Sequence, residues 1–295
     1  MKYVITGGAG NISRPLTEAL LAAGKDVTVI GRNAENLSEL TAKGGKAAIG
    51  SLEEQQFVTN TFKEADAVYL MVPPNFSGVD LRTYQNKVGD IFINALKESK
   101  IKHAVLLSSI GAHLGNGAGP IDGLSDFEKK LATLDQLNVK ILRPSYFITN
   151  FYSMVPLIKG MNIMGSNFGG NERKLVLTHP ADIAAVAAEE LLSLDFKGQT
   201  VRYVASDERT PEEAATIIGK AINKPDLPWV PFTDEQANDG MLQAGLPKTI
   251  VDGYVAMGKA LKAGVLEEDY WSHHPVLGKV KLEDFATEFA AAYNS

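Results

Sequence analysis

Cysteine is absent from all 295 residues. That excludes a disulfide framework, thiolate zinc sites, iron–sulfur clusters and a cysteine nucleophile. No apolar run approaches the roughly 20 residues needed to span a bilayer. The opening apolar run breaks at Thr6-Gly7-Gly8, too early for a secretory core, so the sequence predicts a cytoplasmic protein with no membrane partner. Blocks of Lys and Arg are missing as well. With 29 Lys plus Arg against 35 Asp plus Glu, the formal net charge is −6, which argues against nucleic acid or a membrane surface as the main partner. Neither a solenoid-period repeat nor a low-complexity tract is visible.

What is present is ordinary for a folded chain: 45% hydrophobic and 22% charged residues. The length suits two domains, or one α/β domain with a large appendage. Short, almost continuously apolar runs recur at Tyr3–Thr6, Val27–Ile30, Ala47–Ile49, Ala67–Val72, Ala104–Leu107 and Lys140–Leu142, as parallel strands covered on both faces require. Helix-period segments alternate with them at Leu16–Ala23, Gln55–Ala65, Val88–Ser99 and Asp126–Leu137. This rhythm predicts a doubly wound parallel α/β sheet. Pro15 suits the first turn of the first helix and Gly24 its end. Ser125-Asp126-Phe127-Glu128 reads as a capping box opening the helix before the last core strand.

After Arg143-Pro144 the rhythm loosens. Helices are predicted at Ala181–Leu192, Pro211–Ile222, Lys248–Ala263 and Leu282–Tyr293, with a strand at Thr200–Val204 and a loop over Lys224–Glu235. Residues 1–145 form the expected core, to which elements of about 176–206 return. Residues 146–295 make mainly a smaller α-rich cap. The Gly-rich stretch Gly111–Gly123 directly follows a strand and is a candidate lid or substrate loop.

The stretch Tyr3–Leu16, "YVITGGAGNISRPL", lies between the first strand and the first helix. Gly7, Gly8 and Gly10 permit a tight turn and close backbone approach to a pyrophosphate, and the helix N-terminus supplies free N–H groups. Ser13 stands where a third glycine would. Thr6, Asn11 and Ile12 complete the expected cofactor cradle. At the end of the second strand, "VTVIGRN" places Arg32 where an NAD site would have an acid. A guanidinium suits a 2′-phosphate and a carboxylate repels it, so NADP(H) is favoured over NAD(H). Arg14 is a weaker candidate for the same phosphate.

With these features, and with "AVLLSSIGA", "ILRPSYFITN" and "THPADIAAVAAEELL" further along, the sequence resembles the NmrA-like atypical short-chain dehydrogenases. Within them it is most similar to NAD(P)H:quinone oxidoreductases and triphenylmethane-type reductases. The resemblance implies a Rossmann-type core, a nicotinamide dinucleotide and a cap shaping a substrate cleft. Two departures stand out. Relatives often carry Gly-Asp at the end of the third strand, near the adenine, where this chain has Gly50-Ser51. None of the nine Tyr is followed four residues later by Lys, so the acid–base pair of ordinary short-chain dehydrogenases is missing. Lys129 and Lys130 read as solvated helix charges.

That second absence has a chemical meaning. Interconverting an alcohol and a simple ketone needs a positioned acid–base group. A quinone or extended conjugated cation spreads the incoming charge, so orientation against the nicotinamide suffices. The leading expectation is therefore an NADPH-dependent reductase of quinone-like or conjugated aromatic acceptors, without flavin or metal, acting as a monomer or homodimer. The alternative is a non-catalytic NAD(P)-sensing regulator that binds a protein partner, as the founding NmrA regulator suggests. A nucleotide-sugar epimerase would require the missing pair.

Candidate site residues lie at predicted strand ends. Met71, Val72 and Pro73 should border the cofactor by their backbone. Ser108 is placed with the cofactor and Ser109 with the chemistry, although a strand-end serine often bonds only backbone. His113 in the Gly-rich loop can donate to a quinone oxygen, or simply be solvated. Tyr146 is a further candidate for the chemistry. Ile110, Phe147 and Asn150 are assigned to substrate, the aromatics stacking on a flat ring or packing under the cap. Asp182 is expected to cap its helix and fix the cap junction. Trp229, Trp271, His273 and His274 read as packing or surface.

Overall fold

The computed structural model describes residues 1–295. Its strands are β1 (Lys2–Ile5), β2 (Asp26–Gly31), β3 (Lys46–Ile49), β4 (Ala67–Leu70), β5 (His103–Leu107), β6 (Asn138–Pro144), β7 (Tyr146–Phe147), β8 (Met164–Ser166), β9 (Leu175–Thr178), β10 (Gln199–Val204), β11 (Asp207–Arg209) and β12 (Trp229–Pro231). The helices are α1 (Ser13–Ala22), α2 (Ser38–Ala42), α3 (Gln55–Phe62), α4 (Leu81–Glu98), α5 (Asp122–Leu131), α6 (Val155–Met161), α7 (Pro180–Ser193), α8 (Pro211–Ala221), α9 (Asp234–Gln243), α10 (Lys248–Lys262), α11 (Glu268–His273) and α12 (Leu282–Asn294).

Seven strands form one parallel sheet in the order β10-β6-β5-β4-β1-β2-β3. The order reverses at β1 and β4, and a crevice opens at such a switch point beyond the strands' carboxyl ends. Alternation along each strand sends Val4, Val68, Leu106 and Ile141 to one face, under α3, α4 and α5. Ile5, Tyr69, Val105 and Leu142 go to the other, under α1 and α7. On the first face, Phe62, Phe92 and Phe127 stack in series with centroids 5.9 and 5.8 Å apart. Both faces are therefore dry, which explains why the strand sequences are apolar throughout rather than alternating.

The cap has its own core, where Phe151, Ile218, Phe285 and Phe289 come together from the segment after β7, α8 and α12. It is not purely helical. β7, β9 and β11 form a three-stranded sheet, and β8 pairs with β12. Of the stretch expected to return to the core, α7 packs on α1 and β10 pairs with β6 along Gln199–Val204, whereas β9 joins the cap sheet. No helix is long and apolar enough to cross a membrane.

Several local readings are corrected. The Ser125–Glu128 pattern is not a capping box: α5 begins at Asp122, and Ser125 and Glu128 are buried within it. The helix thus starts four residues earlier than expected, and the Asp122 carboxylate at its head takes the amides of Gly117 and Ala118 in the preceding loop at 3.1 and 2.9 Å. That helix also stops at Leu131, not Leu137. Lys224–Glu235 is not all loop, because β12 lies within it. The Gly111–Gly123 stretch contains two single helical turns, Ala112–Leu114 and Gly119–Ile121, with Ala112, Ala118 and Ile121 buried in the cap core.

His179, not Asp182, caps α7, its ring accepting from the Ala181 amide at 3.1 Å. Asp182 instead ties distant chain together. It accepts from Ser206 Oγ at 2.6 Å and from the amides of Lys279 and Val280 at 3.0 and 3.1 Å.

Candidate functional site

The turn after β1 is built as the sequence demands. Gly7 and Gly8 have φ of +97° and +59°, a region that side chains disfavour. A Cβ on Gly7 would lie 2.4 Å from Met71 Cε and 2.5 Å from Ser13 Oγ. Ser13 fills the space of the third glycine usefully, donating to the Thr6 carbonyl at 2.8 Å and locking α1 onto β1. The amides of Asn11 and Ile12 have no backbone acceptor, while Arg14 N already bonds Gly10 O at 2.9 Å. Free donors and the helix dipole therefore converge where a diphosphate would sit.

Beside this turn lies a cleft of about 1060 Å³. Gly7, Gly8 and Gly10 line it, with Arg32 from the end of β2, Ser51 and Glu53 after β3, and Pro73 to Ser77 after β4. Arg32 is exposed and makes no ion pair, whereas Arg14 is bonded to Glu39 at 2.6 Å. The two arginines therefore differ: only Arg32 presents an unengaged guanidinium. Ser51 Oγ accepts from the Glu53 amide at 3.1 Å, fixing that corner. The residues present fit a nicotinamide dinucleotide, because the cradle has room only when residue 7 lacks a side chain and the cleft holds a cation without a counter-ion.

The strand-end residues have more varied environments. Thr6 is fully buried. Its hydroxyl receives the Met71 amide at 2.7 Å and contacts the carbonyls of Tyr69 and Met71 at 3.1 and 3.2 Å. It therefore welds β1 to β4. Ile12 is buried in the core under α1 and α7, and Met71, Leu107 and Phe147 are partly buried against that same core. Val72 instead packs toward the opposite face.

Ser108 is buried and donates to Glu128 Oε1 at 2.5 Å. Glu128 in turn receives Arg143 through Nη2 to Oε2 at 2.6 Å and Nε to Oε1 at 3.2 Å. Arg143 Nη1 extends the chain to Tyr203 Oη at 3.1 Å and Asp269 Oδ2 at 3.2 Å. A buried Ser–Glu–Arg relay thus stands on the helix and strand next to the end of β5.

Other candidates separate from the cleft, whose lining contains none of Ser108, Ser109, Ile110, His113, Tyr146, Phe147 or Asn150. Ser109 is half-buried, while His113 and Asn150 are exposed. Ile110 is buried with Val176, Tyr203 and Tyr270. Tyr146 packs against Phe151 and Phe168 at 5.4 and 5.3 Å, and burial pushes its phenol well above the ordinary range. It can donate a hydrogen bond but is a poor proton source at neutral pH. Lys130 pairs with Asp90 at 2.6 Å, away from any tyrosine hydroxyl. No group of three or more His, Asp or Glu is placed to hold a metal.

Sequence reasoning missed Tyr84, Asn36, Glu53 and Phe76, all of which line the cleft. An aromatic on the apolar stripe of α4 looks like any core residue, so no local signal marks Tyr84.

Comparisons with known proteins bear on this site. An NAD(P)H azoreductase of Xenophilus azovorans is 24% identical over 268 residues, covering 90% of each chain. An NADPH-dependent quinone oxidoreductase of Escherichia coli, solved with NADPH, superposes with a TM-score of 0.80 at 20% identity, over 97% of this chain and 99% of that one. Triphenylmethane reductase of Citrobacter sp. gives 0.79 at 17% identity, over 99% and 100%. At such identities the structural likeness establishes the fold. Residues 7–150 match the NAD(P)H-binding family. That match spans the glycine turn, Arg32 and the β5 and β6 strand ends, so the chain carries an NAD(P)H-binding domain of Rossmann type, consistent with an NmrA-like atypical short-chain dehydrogenase.

Proposed function

We propose that the protein is an NADPH-dependent oxidoreductase that delivers hydride directly to quinone-like or conjugated aromatic acceptors. The observation that carries this reading is the pairing of an open dinucleotide cleft with a β5 strand end that lacks an acid–base pair. On α5, Glu128 bonds Ser108 at the end of β5 and is buried and held by Arg143 at 2.6 Å. Ser108 donates its only proton to that carboxylate. Neither Ser108 nor Glu128 is free to protonate a localised alkoxide, so this reading has the acceptor carry the charge until water protonates it.

The bound dinucleotide supplies a hydride from its reduced nicotinamide. The chain's residues do the rest. The amides after Gly10 hold the diphosphate and Arg32 engages the 2′-phosphate. The apolar side chains of Pro73, Pro74 and Phe76 after β4 line the same cleft and shield the bound coenzyme from water. The azoreductase, quinone oxidoreductase and dye reductase among the related proteins support a conjugated acceptor.

The test follows NADPH absorbance with a panel of quinones, azo dyes and triphenylmethane dyes, against simple ketones as controls. Consumption with the conjugated acceptors only is expected. Binding of both oxidised and reduced coenzyme with no consumption by any acceptor would overturn the reading in favour of a coenzyme sensor.

A further inference from the structure

One polar group in the cleft wall is used by nothing in the protein. Tyr84 is 8% exposed, its ring seated in the core cluster with Val4, Val68 and Val88. Yet the residue also lines the cleft, and its hydroxyl has no hydrogen-bond partner. A ring fixed by core packing with an open oxygen is a preorganised donor, because little freedom is lost when it binds.

Local sequence sets this position. The Asp80 carboxylate caps α4, accepting from Thr83 N at 2.8 Å and Thr83 Oγ1 at 2.7 Å. Tyr84 N then donates to Asp80 O at 3.0 Å, which fixes the residue in the first turn. Burial, with a contribution from Glu53 and against one from Arg32, raises the phenol above its ordinary range. The hydroxyl therefore keeps its proton at neutral pH, and both charged neighbours lie within its electrostatic reach.

Glu53 lines the same cleft. Lys87, nearly one turn beyond Tyr84 on α4, binds Glu53 Oε2 at 2.7 Å and leaves Oε1 open. This corner thus presents one donor and one acceptor, next to the guanidinium of Arg32. The complementary ligand is a flat heteroaromatic ring with an amino group beside a ring nitrogen. Adenine has such an edge, whereas a base with a carbonyl there would face the carboxylate with like polarity.

On the coenzyme reading above, we propose that Tyr84 and Glu53 read the adenine of the dinucleotide. The Tyr84 hydroxyl donates to the ring nitrogen flanking the amino group, and Glu53 Oε1 accepts from the amino group itself. Arg32 recognises the phosphate; this pair recognises the base.

The experiment is a calorimetric titration that requires no turnover. Wild type, Tyr84→Phe and Glu53→Ala are titrated with NADPH, with 2′,5′-ADP, and with the hypoxanthine analogue of NADPH, in which a carbonyl replaces the amino group. Tyr84→Phe should weaken NADPH and 2′,5′-ADP about five- to tenfold, the value of one hydrogen bond. Glu53→Ala should remove most of the wild-type preference for NADPH over its hypoxanthine analogue. The thermal midpoint of Tyr84→Phe should match wild type, because the lost hydroxyl has no internal partner. Unchanged affinity in Tyr84→Phe, or a wild type indifferent to the base, overturns the assignment while the coenzyme reading stands. Failure of all three nucleotides to bind wild type overturns both.

Discussion

Replacing Arg32 with Ala isolates the 2′-phosphate interaction from the rest of coenzyme binding. The side chain is exposed and makes no ion pair or hydrogen bond within the protein, so its removal should leave stability nearly unchanged. A charge-assisted hydrogen bond to phosphate is worth about 1.5–3 kcal/mol. At about 1.4 kcal/mol per decade, NADPH affinity should fall roughly ten- to a hundredfold. NADH lacks that phosphate and should lose less than about twofold. Arg32→Asp adds repulsion and should widen the gap further. Because Arg32 is solvated, raising the salt to shorten the Debye length below about 5 Å should erode the wild-type preference for NADPH. Arg14→Ala serves as the control, since that guanidinium is already held by Glu39 at 2.6 Å, and should change NADPH affinity less than about threefold. Fluorescence titration of both coenzymes provides the measurement. Equal losses for NADPH and NADH, or no loss for either, would refute the assignment of Arg32 to the phosphate.

Three further outcomes follow from the structure. Gly7→Ala places a Cβ 2.4 Å from Met71 Cε at a φ of +97°; it should cost about 1–3 kcal/mol of stability and abolish tight coenzyme binding, as chemical denaturation and titration together would show. Glu128→Ala leaves the buried Arg143 with Asp269 as its one remaining carboxylate partner and should destabilise by about 2–3 kcal/mol in urea melts, whereas a loss under about 1 kcal/mol would mean that the ion pair is well solvated. Glu267 is buried and accepts the Val176 amide at 3.0 Å, and burial raises its carboxyl from 4.5 to about 7. The native state therefore holds a proton that the unfolded chain releases, so stability should fall as pH rises from about 4.5 through 7. Glu267→Gln should flatten that slope and be more stable than wild type at pH 8 by about 2–3 kcal/mol, and a parallel pair of stability–pH curves would contradict this.

Much of the architecture could be read without coordinates because it rests on local periodicity. The apolar runs from Tyr3 to Leu142 coincide with β1 to β6, and the four helices expected after residue 180 fall within two residues of their observed ends, whereas α9 and α11 were not anticipated. Gly7, Gly8 and Arg32 were legible for the same reason, since a turn's backbone and a strand's last residue are fixed by a few neighbours in the chain.

Glu128 shows where local reading fails. Ser125-x-x-Glu128 satisfies the capping pattern, but the partner that determines the glutamate's role is Arg143, fifteen residues away on another element. Thr6 and Ser108 sit at strand ends where the sequence places the cofactor, but the fold brings the Met71 amide and the Glu128 carboxylate against their hydroxyls. Tyr84 had no signal at all, because only the packing of α4 beside the ends of β2 and β3 turns a core aromatic into part of a cleft wall. The alternation of strands and helices, the phosphate-binding turn and the cation after β2 are written in neighbouring residues and could be read there. The strand order, and which polar groups bond one another or still face the cleft, came from the fold, because Tyr3 pairs with Ala67 and a hydrogen bond has a fixed reach in space and none along the chain.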